Sequence, residues 1–228
     1  MKTLFGLTLV ALLALGAASV ASQKDAAKPQ PAPTATPADA EVIRAQKPAY
    51  PLETCIVSGH KLDDKAIDFV VDGRLVRLCC ADCKSGAEKD KAAWIAKVDA
   101  AVIAAQKPTY PLQTCPISGE KLGAKGEPFE VVQGTKLVRL CCKGCKPAFD
   151  KDVAASMAKV DKAWIEAQLP KYPLEVCPVS DEKLGGMGEP VNVLYGTKLV
   201  RLCCSGCKKT LEKDGPAIVA KIEAARKN

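Results

Sequence analysis

The stretch Leu75-Val76-Arg77-Leu78-Cys79-Cys80-Ala81-Asp82-Cys83 decides how this chain is read, because it returns as Leu137 to Cys145 and again as Leu199 to Cys207. Upstream of each return stands a single cysteine, Cys55, Cys115 or Cys177. Tyr-Pro-Leu precedes each of these (Tyr50, Tyr110, Tyr172), and a serine (Ser58, Ser118, Ser180) and a Lys-Leu pair follow. The twelve cysteines therefore fall into three sets of four. The first set is two residues shorter between its two cysteine blocks. Further upstream, AEVIRAQKPAYPL, AAVIAAQKPTYPL and KAWIEAQLPKYPL are copies of one lead-in. Self-similarity at a period of about 60 residues is the mark of small tandem units.

Pattern gives each unit a coarse structure. The lead-in reads as a short helix closed by Pro48, Pro108 or Pro170, since the residue before proline avoids the α region. Cys115-Pro116-Ile117-Ser118-Gly119 reads as a tight turn. A hairpin follows. In the first copy Phe69 to Val71 and Leu75 to Leu78 flank Asp72-Gly73, a strong two-residue turn signal; Gly134 and Gly196 mark the equivalent turns. The returning strand ends at the double cysteine. Trp94, Ile95, Val98, Val102 and Ile103 then recur at three- and four-residue steps, predicting one helix from about Glu88 to Gln106 that runs into the next lead-in. In the third copy the same pattern covers Ala217 to Arg226. The expected fold class is α+β, as three small zinc-finger-like modules, each a cysteine turn, a hairpin and a C-terminal helix.

A unit of about 60 residues buries a modest core and commonly needs a staple. One cysteine lies in the turn before the hairpin and three lie where the hairpin hands over to the helix, so two cysteine-bearing turns meet at one end. A helix N-terminus there should favour thiolates. Sulfur ligands converging on one point suit zinc or a softer ion such as copper(I). Adjacent residues of a strand face opposite ways. Cys80, Cys142 and Cys204 therefore join a shared site only if the strand ends there, as the following turn residues predict.

The pattern C-P-x-[ST]-G, a spacer of a little over twenty residues and C-x3-C leading into a helix resembles the TRASH/YHS group of heavy-metal-binding, treble-clef-like domains. The resemblance covers each copy from its Tyr-Pro-Leu to the following helix. It implies metal binding by Cys55, Cys79 and Cys83, by Cys115, Cys141 and Cys145, and by Cys177, Cys203 and Cys207. The chain departs from the pattern at the extra cysteines Cys80, Cys142 and Cys204, at Ile56 in the proline position and at Asp181 in the glycine position. With the extra cysteines included, all twelve are candidate ligands, for about one zinc or other thiophilic ion per copy.

Two other readings of the cysteines stay open. An even number per copy in an oxidising compartment fits a disulfide scaffold. Cys80-x-x-Cys83 at a strand-to-helix junction fits thiol redox chemistry, although no βαβ pattern surrounds it. Acid-base catalysis finds little support, and the chain is expected not to be an enzyme. The lone His60 has Glu120 and Glu182 as equivalents and reads as a surface residue. Arg77, Arg139 and Arg201 read as solvated strand positions, and Trp94 and Trp164 as core.

The N-terminus sets the expected compartment. Lys2, the uncharged run Leu4 to Val20 and the small residues Ser19-Val20-Ala21 form a signal-peptide pattern with cleavage after Ala21, predicting a periplasmic or secreted protein with no membrane span in its mature form. An Ala/Pro-rich linker over 22–38 lacks the bulk to build a core. The modules are then expected at 39–106, 107–168 and 169–228. The net charge of +7 is interleaved along the chain and aromatic content is 4%, which argues against a nucleic-acid partner. The expected partners are metal ions, with a protein as the second class.

Overall fold

In the computed structural model, residues 36–227 are described, and the signal peptide expected over 1–21 lies outside them. Thr36 begins the first helix, α1 (Pro37–Gln46). Its hydroxyl accepts from the Asp39 amide, and the Asp39 carboxylate accepts from the Thr36 amide. This reciprocal cap, with proline at the first helical position, draws Pro37 and Ala38 out of the expected linker and into the helix.

Three antiparallel hairpins follow, β1 (Ile67–Val71) with β2 (Arg74–Leu78), β3 (Phe129–Gln133) with β4 (Lys136–Leu140), and β5 (Val191–Tyr195) with β6 (Lys198–Leu202). The register is the same each time, although the turns differ. Asp72 and Gly73 both have positive φ, a type I′ turn, whereas only the first residue does so in Gly134-Thr135 and Gly196-Thr197. Both turns match the twist of the strands they join.

The helix expected from about Glu88 to Gln106 is α3 (Lys91–Gln106), and a separate short helix, α2 (Asp82–Lys89), precedes it. The break falls at Asp90, whose backbone leaves the helical region and whose carboxylate accepts from the Ala93 amide. A short acidic side chain competes well for backbone amides at a helix start. Asp152 does the same between α4 (Lys146–Lys151) and α5 (Val153–Gln168). Asp214, ahead of Pro216, kinks α6 (Lys208–Ala225), which begins well before the expected Ala217. The three prolines of the lead-ins sit in 3-10 turns just after α1, α3 and α5.

The second strand of each hairpin is the centre of its core. Leu75 and Val76 are neighbours, yet each is 1% exposed, so β2 is covered on both faces. Helices α1 and α3 both pack on β2, and α3 also packs on β3 and β4. One edge of the strand faces β1. On the other edge the Leu75 amide donates to Gln46 Oε1 at 2.8 Å and the Arg77 amide to the Tyr50 hydroxyl at 3.1 Å. Gln46 Nε2 also donates to the Gly73 carbonyl. Gln106 and Tyr110 repeat these bonds to Leu137, Arg139 and Thr135, and Gln168 and Tyr172 to Leu199, Arg201 and Thr197. The lead-in thus supplies, through side chains, the hydrogen bonds that a third strand would make.

The copies also touch one another, and the described residues, 36–227, belong to one compact unit. The Thr135 hydroxyl donates to the Gln46 carbonyl at 2.9 Å. A Cβ on Gly196 would come within 2.8 Å of the Pro48 carbonyl oxygen. Two hairpin tips therefore rest against the end of α1 and the turn after it, and Arg44 of α1 pairs with Glu212 of α6. Among the described residues no helix is long and apolar enough to cross a membrane.

Gln106 is 6% exposed and satisfies one buried donor and one buried acceptor. Stranding each costs about 1–3 kcal/mol, so Gln106→Ala is expected to lower the unfolding free energy by about 2–6 kcal/mol in urea titrations. A loss below about 0.5 kcal/mol, typical of surface changes, would contradict this role.

Candidate metal centre

Each centre begins at the turn after Tyr-Pro-Leu. The Cys55 amide donates to the His60 carbonyl and the Gly59 amide to the Cys55 carbonyl, closing a tight loop. Cys115 and Cys177 close theirs in the same way. Gly59 and Gly119 take φ of 76° and 74°, and Asp181 takes 59° in the same place. The left-handed region is open to aspartate at a modest cost. The loop therefore keeps its form with Asp181 for glycine, and likewise with Ile56 for proline.

The second cysteine block arrives from the strand. β2, β4 and β6 stop at Leu78, Leu140 and Leu202, so each vicinal pair stands beyond the strand. The third cysteine of the block, Cys83, lies in the first turn of α2, while Cys145 and Cys207 end 3-10 turns that lead into α4 and α6. The result is three sulfur triads, Cys55/Cys79/Cys83, Cys115/Cys141/Cys145 and Cys177/Cys203/Cys207, each with all sulfurs within 4.8 Å of one another. The fourth cysteine sits against its triad. Cys80 Sγ lies 3.8 Å from Cys79 and 3.7 Å from Cys83, Cys142 lies 3.9 Å from Cys141, and Cys204 lies 3.9 Å from Cys203. Within the triads, Cys79–Cys83, Cys141–Cys145 and Cys203–Cys207 are 3.8, 3.6 and 3.7 Å apart. Zinc–thiolate bonds of about 2.3 Å in a tetrahedron put sulfurs about 3.8 Å apart. The three triad sulfurs match three corners of such a site, and the fourth cysteine lies against one or two of them.

The surroundings grade the thiols. Burial pushes Cys55, Cys115 and Cys177 up, but backbone amides of the turn and the serine hydroxyl more than offset it, leaving each at about 6. Burial is also the first cause at Cys83, Cys145 and Cys207, and nearby sulfurs add to it, so these are pushed up to about 12. The expected favouring of thiolates at the helix start is thus reversed there, because desolvation outweighs the helix end. Cys80, Cys142 and Cys204 are lowered by hydrogen bonds, first from the amides of Cys83, Gly144 and Gly206.

Other residues named from the sequence take definite places. Ser58, Ser118 and Ser180 set their hydroxyls 3.2, 3.4 and 3.3 Å from Cys79, Cys141 and Cys203. His60 Nδ1 is 3.9 Å from Cys79 Sγ, at the edge of the first centre. The arginines are cross-strand partners rather than solvated: Arg77 pairs with Asp68, Arg139 with Glu130, and Arg201 donates to Asn192. Trp164 is buried, whereas Trp94 is partly covered and donates to the Gly86 carbonyl. The residues missed are Gln46, Gln106 and Gln168, which hold the strand that carries the cysteines. Their recurrence four residues before each Tyr-Pro-Leu was the available signal.

These shifts carry a pH signature for the reduced, metal-stripped protein. Cys55, Cys115 and Cys177 lie below the ordinary thiol value of 9.0, so their stabilisation is present above pH 9 and lost as pH falls through about 6. Cys83, Cys145 and Cys207 act in the opposite sense, with stabilisation full below pH 9 and lost as pH rises through about 12. The thermal midpoint is expected to rise from pH 6 to 9 and then to fall. A midpoint flat between pH 6 and 9 would rule out a preformed thiolate at the turn.

Comparison of the chain with protein-family models, with curated proteins and with solved structures returned no match.

Proposed function

We propose that this is an exported heavy-metal-binding protein that carries up to three thiophilic ions, one in each copy of the repeat, to buffer, deliver or sense them. One observation carries the reading: three sulfur clusters recur with the spacing of a tetrahedral thiolate site. The turn that presents Cys55, Cys115 and Cys177 already favours one thiolate per site, which lowers the proton cost of metal capture. Sulfur-only donors favour zinc or copper(I) over hard cations. The TRASH/YHS-like motif agrees with this reading, and so does the signal-peptide pattern at the N-terminus. The role is binding rather than catalysis, and three similar centres on one chain favour capacity or avidity toward a partner.

The test is native mass spectrometry of the protein purified without reductant or chelator from its own compartment. Three zinc or copper ions per chain, with all twelve thiols reduced, are expected. Two disulfides per copy and no metal would replace this reading with a stapled structural protein. Chelator titration followed by circular dichroism sharpens the role. A fold retained after metal loss marks an exchangeable cargo, and cooperative unfolding marks a structural ion.

A further inference from the structure

The fourth cysteine of each set stands outside the triad that the other three form. Cys55, Cys115 and Cys177 are at most 2% exposed, Cys83 and Cys207 are 9% exposed, and Cys145 is half-buried. Cys80 is exposed, and Cys142 and Cys204 are half-buried. Each of these keeps its sulfur within 3.9 Å of a triad sulfur while standing outside the triad in which all sulfurs lie within 4.8 Å. Each also lies past the end of the strand, between the hairpin and the following helical turn, where its backbone is free of the sheet ladder. A ligand that is peripheral to the triad and on an unpaired segment can detach without disturbing the core.

The copies differ in the same respect. In the first, Cys79 is also half-exposed, whereas Cys141 and Cys203 are 1% and 3% exposed. The loop ahead of the first hairpin is two residues shorter, and His60 stands where Glu120 pairs with Lys125 in the second copy. The first centre is therefore the most open.

We propose that Cys80, Cys142 and Cys204 are detachable closing ligands, that each triad retains the ion when its closing ligand leaves, and that the first centre exchanges its ion fastest. This rests on the metal-binding reading above. The partner it fits is a thiol-bearing acceptor or donor of metal. In the exchange step the incoming thiol sulfur bonds to the ion as the Cys80 sulfur leaves. The proton given up by the incoming thiol passes to Cys80. No electrons are transferred, and the ion keeps four sulfurs throughout. A site with one labile position suits exchange, as a fully closed one suits a structural ion.

The experiment uses the full-length reduced protein loaded with zinc. Native mass spectrometry reads stoichiometry, and a chromophoric chelator or glutathione serves as acceptor for transfer rates. Cys80→Ser, Cys142→Ser and Cys204→Ser are each expected to keep three zinc ions per chain and to release one of them faster. The gain should be about tenfold or more, the scale at which changes around a metal alter affinity. Cys55→Ser, Cys115→Ser and Cys177→Ser are expected to lose one ion each, and only Cys55→Ser should remove the fastest phase of wild-type release. Loss of the ion in Cys80→Ser as complete as in Cys55→Ser would overturn the proposal, as would release at the wild-type rate. So would a fastest phase that survives Cys55→Ser. Circular dichroism of each variant separates ligand loss from unfolding. A wild-type chain that takes up no zinc would instead overturn the metal-binding reading itself.

Discussion

A two-stranded hairpin leaves half of its backbone unpaired, and everything else in this chain follows from how that deficit is met. An isolated pair of strands is marginal in water. Here the open edge of β2, β4 and β6 meets a glutamine and a tyrosine, which occupy the amides at alternate residues. These are the amides that point away from the partner strand. The edge is closed against further strand pairing. The strand is also fixed lengthwise, because the glutamine grips the turn at one end and the tyrosine hydroxyl reaches the residue just before Leu-Cys-Cys. The sulfur positions are set by two side chains that bond to the strand ahead of the vicinal pair.

With the strand fixed, the centre assembles from short-range rules. The turn at Cys55 aims its amides at one sulfur, the strand end releases the vicinal pair, and the first helical turn brings the last cysteine four residues on. Burial then makes the thiols unequal. A low-titrating sulfur in the turn beside a high-titrating one under the helix gives each cluster a direction in which protons leave. This electrostatic order is the same in all three copies. Solvent access is not, and the copies differ there.

Much of the architecture was legible in the chain. Asp72-Gly73 marked the first hairpin turn, and the repeat carried its register to the other two. The convergence of the cysteine blocks followed from placing one in a turn and the other at a strand end. The helix start at Lys91, three residues after the expected Glu88, was hidden because the apolar stripe begins only at Trp94, and the competition of the Asp90 carboxylate for the Ala93 amide sets the boundary. The glutamine clamp was hidden for another reason. Its partners on the hairpin lie 27 to 31 residues away, and polar residues at a helix end carry no periodicity to betray a buried role. The motif that resembles a metal-binding family covers the cysteine turn and the helix start and says nothing of the glutamine clamp.

The seating of two hairpin tips on the first copy has a consequence for how the chain comes into being. The stretch that includes Gln46 and Pro48 emerges from synthesis before either tip that rests on it, so the seat precedes its occupants. N-terminal parts of a chain generally fold first. Damage at Gln46 would therefore reach the later copies, whereas damage at Gln168 would stay near the C-terminus. Three nearly equal sequences are thereby made unequal by birth order: the earliest of them is both foundation for the others and the one whose sulfurs lie most open to the surroundings.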